Sequence, residues 1–304
     1  MLHRTLTVAS LMAALSLIVG CSAPIDSDLA KTNSQASQAP VELEPSSQVQ
    51  NLMPEELTDK GQINIVGTQG SPPTSFSNPA IGSDGLNADL ARAIASIMGL
   101  EANITLIPTD GIVPGLQSNK YDLAVASMSP SSERLEVLDM VAFTKGGSAI
   151  GVPEGNPRDL TPQKLCGLRV GVPRASFQST HRLPELNEEE CSSKNRPSIR
   201  AVTLPDQGQT LLSLTTNRVE AIMVDGPVLS YALKKQGENL DVLKDDSNPM
   251  STGGLSVTKG STLTPALLKA MEVLRDSPEY EQIYKKWGMP EYALPHDELG
   301  ELEE

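Results

Sequence analysis

The chain has 304 residues, a formal net charge of −14, three cysteines and three histidines. This acidic balance argues against nucleic acid as a partner, because phosphate backbones are held by clustered lysine and arginine side chains. The histidines are scattered and no Cys-x-x-Cys spacing occurs, so we expect no metal site and no cofactor. The length is sufficient for one or two lobes with a buried core.

The first twenty residues predict an export signal. His3 and Arg4 precede an apolar run over residues 6–19, which is too short for a confident membrane span. The letters LIVGC over residues 17–21 resemble a bacterial lipobox, in which the cysteine is lipidated and becomes the mature N-terminus. We therefore expect residues 1–20 to be removed and Cys21 to anchor the protein to the outer side of the cell membrane. The alternative is a plain signal peptide with an incidental cysteine.

The next segment, residues 21–57, predicts a disordered tether that follows the lipidated cysteine. It is rich in Ser, Gln, Ala and Pro and has few large apolar side chains. Ordering such a segment would cost conformational entropy without compensating burial. The folded body therefore begins near residue 58.

The first half of the body alternates apolar strands with amphipathic helices. Strands are predicted at residues 63–68, 102–107 and 121–127, with helices at 87–98 and 111–118 between them. Gly99 stops the longer helix, in keeping with the preference for glycine just after a helix end. This order predicts βα units and a parallel sheet.

An arginine follows the third strand after a Ser/Pro-rich helix start. Residues 129–132, Ser-Pro-Ser-Ser, offer N-cap hydroxyls, and Arg134 lies just beyond them. A helix N-terminus attracts carboxylate or phosphate, and a guanidinium grips a carboxylate through two parallel hydrogen bonds. The segment therefore predicts an anion-binding site. The alternative is that Arg134 pairs with Glu133 or Glu136 on a solvated helix face.

After residue 153 the alternation begins again. Strands at 169–172 and 221–224 and helices at 207–216 and 227–235 predict a second α/β lobe. A returning strand at 254–258 and a helical region at 263–287 are expected to complete the first lobe. Residues 293–304 predict a frayed, solvated acidic tail.

The cysteine count predicts one disulfide. If Cys21 is lipidated, Cys166 and Cys191 remain as an even pair in an oxidising location. A bridge over that spacing adds roughly 3 kcal/mol of stability by the loop-entropy argument.

Several segments together resemble the family 3 extracellular solute-binding proteins, which deliver polar amino acids to ABC importers. They are GLNADLARAIASIMGL (85–100), DGIVPGLQSNKYDLAVASMSPSSER (110–134), LCGLRVGVPRASFQ (165–178), NRVEAIMVDGP (217–227) and YKKWGMP (284–290). The resemblance covers residues 58–292. It implies a periplasmic-binding-protein-like type II fold, with two α/β lobes around a ligand cleft. Two crossover strands would lie near 147–152 and 248–253, giving lobe 1 residues 58–148 with 252–292 and lobe 2 residues 149–251.

The resemblance implies ligand-binding residues in the first lobe. Arg134 and the backbone around Ser129 would hold the α-carboxylate of an amino acid, while Ser127 would accept from its α-ammonium group. A fork of donors suits the carboxylate, and an acceptor suits the ammonium.

In the second lobe, the resemblance implies that Ser176, Phe177 and Gln178 open a helix whose N–H groups reach the same carboxylate, and that Asp225 pairs with the ammonium. Two structural alternatives remain. Ser176 can be an ordinary N-cap, and Asp225 can cap the helix that starts at Pro227.

Departures from the family pattern bear on the ligand. Pro72 and Pro73, with Thr109, occupy positions where many relatives carry aromatics, which leaves Phe76 as the nearby aromatic candidate. Gln69 lies where receptors for basic amino acids often have an acid, so a lysine or arginine ligand would lack a partner. We therefore expect a polar ligand that is neutral or acidic.

Three further side chains have alternative roles. Phe177 replaces a common hydroxyl residue and is a candidate apolar wall of the cleft. Arg174 is either a partner for an acidic ligand side chain or a surface charge. Trp287 is expected in the core of lobe 1 rather than at the ligand.

The function predicted is that of a monomeric, substrate-binding lipoprotein that works with ABC permease and ATPase subunits. No Ser-His-Asp arrangement or phosphate loop occurs in the sequence, so we expect no enzyme activity. The alternatives are a ligand sensor that docks to a separate membrane protein, or a dehydratase on the same fold.

Overall fold

The computed structural model describes residues 43–236, 239–243 and 250–303. The predicted signal segment, Cys21 and the first part of the predicted tether lie outside these ranges. Within them, no helix is long and apolar enough to cross a membrane.

The described residues form alternating strands and helices. The strands are β1 (Gln62–Thr68), β2 (Phe76–Asn78), β3 (Gly82–Asp84), β4 (Glu101–Ile107), β5 (Leu123–Met128), β6 (Leu138–Gly146), β7 (Ser148–Pro153), β8 (Arg169–Pro173), β9 (Arg200–Leu204), β10 (Ala221–Asp225), β11 (Leu240–Leu243) and β12 (Ser251–Thr258). The α-helices are α1 (Ser47–Gln50), α2 (Glu55–Lys60), α3 (Leu86–Met98), α4 (Ile112–Gln117), α5 (Ser132–Leu135), α6 (Leu183–Glu190), α7 (Gln207–Thr215), α8 (Gly226–Tyr231), α9 (Thr264–Asp276) and α10 (Pro278–Lys286). Single π-helical segments, Gln178–Arg182 and Ala232–Gln236, precede α6 and follow α8.

The first sheet has the strand order β4-β1-β5-β12-β6. β1 is parallel to β4 and β5, while β12 runs antiparallel to β5 and β6. The predicted strands at 63–68, 102–107 and 121–127 are confirmed as β1, β4 and β5. The predicted helix at 87–98 is α3, and Gly99 ends it in the left-handed conformation, with φ 75°.

The second sheet has the order β11-β7-β10-β8-β9. β8 is parallel to β9 and β10, and β7 is antiparallel to β10 and β11. Both faces are covered: Leu183 and Leu186 of α6 pack on one cluster, and Leu211 and Leu214 of α7 on another. Burial on both faces explains why β8 and β10 are continuous apolar runs.

The chain passes between the sheets close to a predicted crossover. β6 ends at Gly146 in the first sheet and β7 begins at Ser148 in the second, with Gly147 at φ 150° between them. The other predicted crossover, near 248–253, lies partly outside the described residues, and β12 begins at Ser251.

The predicted disulfide is confirmed. Cys166 and Cys191 are bonded, with their Cα atoms 5.6 Å apart. The bond joins the loop before β8 to the end of α6.

The prediction of a disordered tether up to residue 57 is wrong for the part that the structure describes. Val49 of α1 is fully buried and Leu57 of α2 is 7% exposed. The backbone N–H of Ser46 donates to the Ile97 carbonyl oxygen at 2.9 Å, which ties the segment to the end of α3. Burial of these two apolar side chains stabilises the segment. The average composition of residues 21–57 did not indicate it, because the polar residues outnumber them.

The prediction of a frayed tail is also wrong over residues 293–303. Leu294 is fully buried, and its N–H donates to the Tyr280 hydroxyl at 2.8 Å. The Ala142 N–H donates to the Gly300 carbonyl at 2.9 Å, and the Leu302 N–H donates to the Met140 carbonyl at 2.7 Å. The tail is ordered because β6 is the edge strand of its sheet and offers free backbone groups to it.

The buried position of Leu294 yields a test of this ordering. Leu294→Ala should lower the free energy of unfolding by about 2–5 kcal/mol, because it leaves a cavity in the core. Urea denaturation measures this difference. The control Ile81→Ala, at a side chain that is 53% exposed, should change it by less than about 0.5 kcal/mol. Equal, small effects of both substitutions would show that the tail is not packed in solution.

Candidate functional site

A cleft lies between the two sheets, at the carboxyl ends of β1, β5, β8 and β10. Its empty volume is about 440 Å³, part of which is open to solvent. Seven of the nine predicted ligand-binding residues line it: Ser127, Ser129, Arg134, Ser176, Phe177, Gln178 and Asp225. The carboxyl ends of parallel strands gather residues that are distant in sequence, which accounts for this convergence.

The guanidinium of Arg134 enters the cleft from the first sheet. The one-turn helix α5 carries it, and the Ser131 side chain accepts from the Arg134 N–H at 3.4 Å, as the predicted N-cap requires. Nη1 donates to the Ser129 carbonyl at 2.7 Å, and Nη2 donates across the cleft to the Ala175 carbonyl at 3.4 Å. Arg134 thus bonds to carbonyl groups rather than to Glu133 or Glu136, and its remaining N–H groups can serve a ligand.

The carboxylate of Asp225 enters from the second sheet, at the end of β10. Asp225 holds the N-cap position of α8 without a side-chain cap bond, so the capping alternative is not realised. Instead, Oδ1 accepts from Gln178 Nε2 at 2.7 Å and Oδ2 accepts from Gln207 Nε2 at 2.8 Å. Burial raises the pKa of Asp225 to about 6, while the Gln178 bond and the charge of Arg134 oppose that rise.

These two charges are not paired with each other. Among the described residues, neither Arg134 nor Asp225 takes part in an ion pair within 4.0 Å. Burial lowers the pKa of Arg134, and the charges of Asp225 and Glu133 oppose that change. A buried charge that is held only by neutral groups remains costly, so each is disposed to accept an opposite charge from a ligand.

The serines of the cleft have distinct partners. Ser127 is at φ 50° and its Oγ donates to Asn87 Oδ1 at 3.1 Å, while Ser129 Oγ lies 3.4 Å from Ser251 Oγ. Ser176 Oγ donates to the Pro173 carbonyl at 2.8 Å and accepts from the Ser179 N–H at 3.2 Å. The hydroxyl of Ser176 therefore has the capping role that was its structural alternative.

Two predicted ligand residues, Gln69 and Phe76, lie away from the lining of the cleft. The Gln69 N–H donates to the Ile107 carbonyl at 2.9 Å, which extends the pairing of β1 with β4. The Phe76 ring packs edge-on against Trp287 at 5.9 Å. Trp287 itself is buried and donates from Nε1 to Asp89 Oδ2 at 2.8 Å, as expected of a core residue. Phe76 therefore packs against the core residue Trp287 rather than lining the cleft.

Further contacts cross the cleft outside its lining. The Gly208 N–H donates to the Gly70 carbonyl at 3.0 Å, and His181 Nε2 lies 3.1 Å from Glu133 Oε2. Arg174, with an exposed side chain, lies 3.5 Å from Asp110 Oδ2, which favours its interpretation as a surface charge. On the side of the second sheet, the lining residue Phe177 stacks on His181 with ring centroids 4.9 Å apart. The structure therefore represents a closed arrangement of the two lobes.

Other cleft residues escaped the sequence analysis. Gln207 is the main one, since its amide both donates to Asp225 Oδ2 and accepts from the Asp225 N–H at 3.2 Å. The sequence does carry an indication of this role: Gln207 is the first residue of the predicted helix at 207–216, and α/β proteins bind ligands in the crevice at the carboxyl ends of their strands, where such helices begin. The remaining members are four hydroxyl residues, namely Thr68 at the end of β1, Ser71, Thr74 and Thr109, together with Ala126 and Met128 of β5.

The Gln178 bond yields a prediction for the titration of Asp225. Gln178→Met removes a donor to the ionised carboxyl, so the pKa of Asp225 should rise further above about 6. Because the folded pKa is above the unfolded one, stability is lost as the pH rises through the folded pKa. The variant should therefore lose more unfolding free energy than the parent between about pH 5 and about pH 8.

Carboxyl-carbon NMR measures the pKa of Asp225, and urea denaturation measures the stability difference. The control Gln209→Met changes a neighbouring exposed glutamine and should leave both unchanged. An Asp225 pKa that is the same in the parent and in Gln178→Met would contradict the hydrogen-bonding arrangement described above.

Comparison with curated proteins finds relatives along most of the chain. It is 25% identical to the arginine-binding protein ArgT of Corynebacterium glutamicum, over 85% of this chain and 84% of that protein. It is 24% identical to the L-cystine-binding protein TcyJ of Escherichia coli, over 79% of this chain and 90% of that protein. These relatives are solute-binding proteins rather than enzymes, which confirms the prediction of a non-enzymatic protein.

Solved structures share the fold. An ancestral arginine-binding protein bound to arginine is 26% identical, with a TM-score of 0.66 over 75% of this chain and 98% of that one. The ancestral protein bound to glutamine is also 26% identical, with a TM-score of 0.63 over 75% and 97%. The two five-stranded mixed sheets of the described residues match the predicted periplasmic-binding-protein-like type II fold. The model of the bacterial extracellular solute-binding proteins, family 3, matches residues 63–290, and the chain belongs to that family.

Proposed function

We propose that this protein captures a polar amino acid, neutral or acidic, by closing the cleft around it, and delivers it to the permease of an ABC importer. The unpaired Arg134 and Asp225 carry this proposal, because they face one cleft from different sheets and are held by neutral groups. A zwitterion satisfies both charges at once. Its α-carboxylate would bind the Arg134 guanidinium and its α-ammonium the Asp225 carboxylate.

The smaller groups of the site support the same orientation. Ser127 and Ser129 line the cleft beside Arg134 and supply oxygen atoms near the proposed head group. The N–H groups of Ser179 and Thr180 each donate to the Ser176 carbonyl at 3.1 Å, so the N–H groups of Phe177 and Gln178, at the start of this helix, are the ones that would serve a carboxylate. Contacts from both sheets to one ligand would favour the closed arrangement over an open one.

The lining of the cleft supports the proposed ligand class. Beyond the head group it consists largely of hydroxyl side chains, Thr68, Ser71, Thr74 and Thr109. Of the described residues that line it, Asp225 alone carries a carboxyl group. A lysine or arginine side chain would therefore lack a second acid to neutralise it, whereas a neutral polar side chain could hydrogen-bond to the hydroxyl groups.

The relatives support an amino acid as ligand and also supply the main competing candidate. Proteins named for arginine and L-cystine, and an ancestral structure bound to glutamine, are similar to this chain. Arginine is the competing ligand because it recurs among these names. The lipobox supports an anchor at Cys21, which would keep the protein at the membrane near its permease.

A calorimetric panel tests the ligand class. Glutamine, asparagine, glutamate and aspartate should bind more tightly than lysine or arginine, because the cleft offers hydroxyl groups and no second acid. Each good ligand, at about 100 times its Kd, should also raise the free energy of unfolding by roughly 2.7 kcal/mol. Arg134→Ala serves as the control for site occupancy and should abolish the difference. Tighter binding of arginine than of glutamine and glutamate would refute the proposed class, and no binding of any amino acid would refute the function.

A further inference from the structure

A second cavity continues the cleft towards the crossover between the sheets. We call it the crossover cavity; it is bounded by Lys145, Gly147, Ser251 and Met289, and its empty volume is about 450 Å³, partly open to solvent. It shares Thr74, Ser127, Ser129, Gln178 and Asp225 with the cleft, so the two spaces meet at the proposed head-group site. A ligand held there could extend into it.

Lys145 gives this cavity a positive charge. It lies near the end of β6, opposite Thr252 of β12 in the antiparallel register, and its side chain is only 14% exposed. Nζ donates to Glu298 Oε2 at 2.5 Å and to Thr252 Oγ1 at 3.4 Å. An ammonium group has three donors, so within the described part of the chain one N–H remains for a ligand.

The two basic side chains are joined by a short polar path. The Ser129 carbonyl accepts a hydrogen bond from Arg134, and the Ser129 hydroxyl lies 3.4 Å from Ser251 Oγ. The next residue in the chain is Thr252, whose hydroxyl accepts from Lys145. Of the described residues lining the cleft and the crossover cavity, Arg134 and Lys145 alone are basic. Arg174, the sequence candidate for an acidic ligand, lies outside both linings.

We propose that the crossover cavity receives the side-chain carboxylate of the ligand and that Lys145 determines a preference for acidic over neutral amino acids. This inference rests on the proposed function, because Arg134 and Asp225 must hold the α-carboxylate and α-ammonium for the side chain to reach the cavity. The mechanism is a charge-assisted hydrogen bond between the free N–H of Lys145 and the ligand carboxylate.

Glu298 moderates this preference from the C-terminal segment. Its carboxylate accepts from Lys145 and also from the Thr252 hydroxyl at 3.1 Å, so it already neutralises much of the Lys145 charge. The bond from Lys145 lowers the pKa of Glu298, which is therefore ionised at neutral pH. A ligand carboxylate would share Lys145 with Glu298 and be repelled by it. Removal of Lys145 and removal of the Glu298 charge should therefore have opposite effects on an acidic ligand.

Calorimetry on the full chain with glutamate and with glutamine tests this inference. Lys145→Gln should weaken glutamate binding by roughly tenfold or more and change glutamine binding by less than about threefold. Glu298→Gln should strengthen glutamate binding several-fold and leave glutamine binding unchanged. The matched control Lys259→Gln removes an exposed lysine that pairs with Asp139 at 3.3 Å, and should affect neither ligand.

The outcomes separate the inference from the function on which it rests. Equal weakening of glutamate and glutamine by Lys145→Gln would overturn the inference, since Lys145 would then act on the crossover rather than on the ligand. Binding of glutamine but not glutamate by the parent would overturn it and leave the proposed function standing. Binding of neither would refute both. If Lys145→Gln fails to fold, Glu298→Gln at a 39% exposed side chain still decides the matter, because weaker or unchanged glutamate binding contradicts the proposal.

Discussion

The candidate site depends on two buried charges of opposite sign that bond to neutral groups rather than to each other. Arg134 is supported by carbonyl oxygens and Asp225 by the amides of Gln178 and Gln207, and both face one cleft. Isolated charges in such surroundings are destabilising, and the raised pKa of Asp225, about 6, reflects that cost. The hydrogen bonds from these neutral partners offset part of the cost of burying the two charges. A bound zwitterion would supply an opposite charge to each of them.

The fold explains how these groups meet. Arg134 follows β5 of one sheet and Asp225 ends β10 of the other, so each lies at a carboxyl end that opens towards the cleft. The lobes also meet at the loop after β1, where the Gly208 N–H donates to the Gly70 carbonyl. Gly70 is at φ 68°, and a Cβ atom there would lie 2.7 Å from Asp206 Cγ. Glycine is therefore required for this approach of the two lobes.

The sequence allowed prediction of the elements that are locally apolar and clearly bounded. β1 and β5 are short apolar runs, α3 ends at a glycine, and the Ser131 cap before Arg134 follows from residue type alone. β9 was missed because most of its residues are exposed and only two of them, Val202 and Leu204, are sheltered from solvent, which is too short an apolar pattern to indicate a strand. The tail was misjudged because its order depends on a partner far away in sequence, the edge of β6, and on the burial of Leu294. The role of Gln207 likewise depends on a residue that is distant in sequence, because its amide bonds to Asp225. Local sequence patterns therefore predict individual helices and strands. They do not predict which segment pairs with the edge of a sheet or which side chains hydrogen-bond to each other across the fold.

The central claim is that one ligand joins both charges and thereby closes the cleft. Small-angle scattering with and without the preferred amino acid tests it most directly, on the parent and on Asp225→Ala. The account predicts that a saturating ligand lowers the radius of gyration of the parent, while Asp225→Ala stays at its ligand-free value at the same ligand concentration. A parent that binds the ligand by calorimetry without becoming more compact, or an Asp225→Ala variant that closes as fully as the parent, would contradict it.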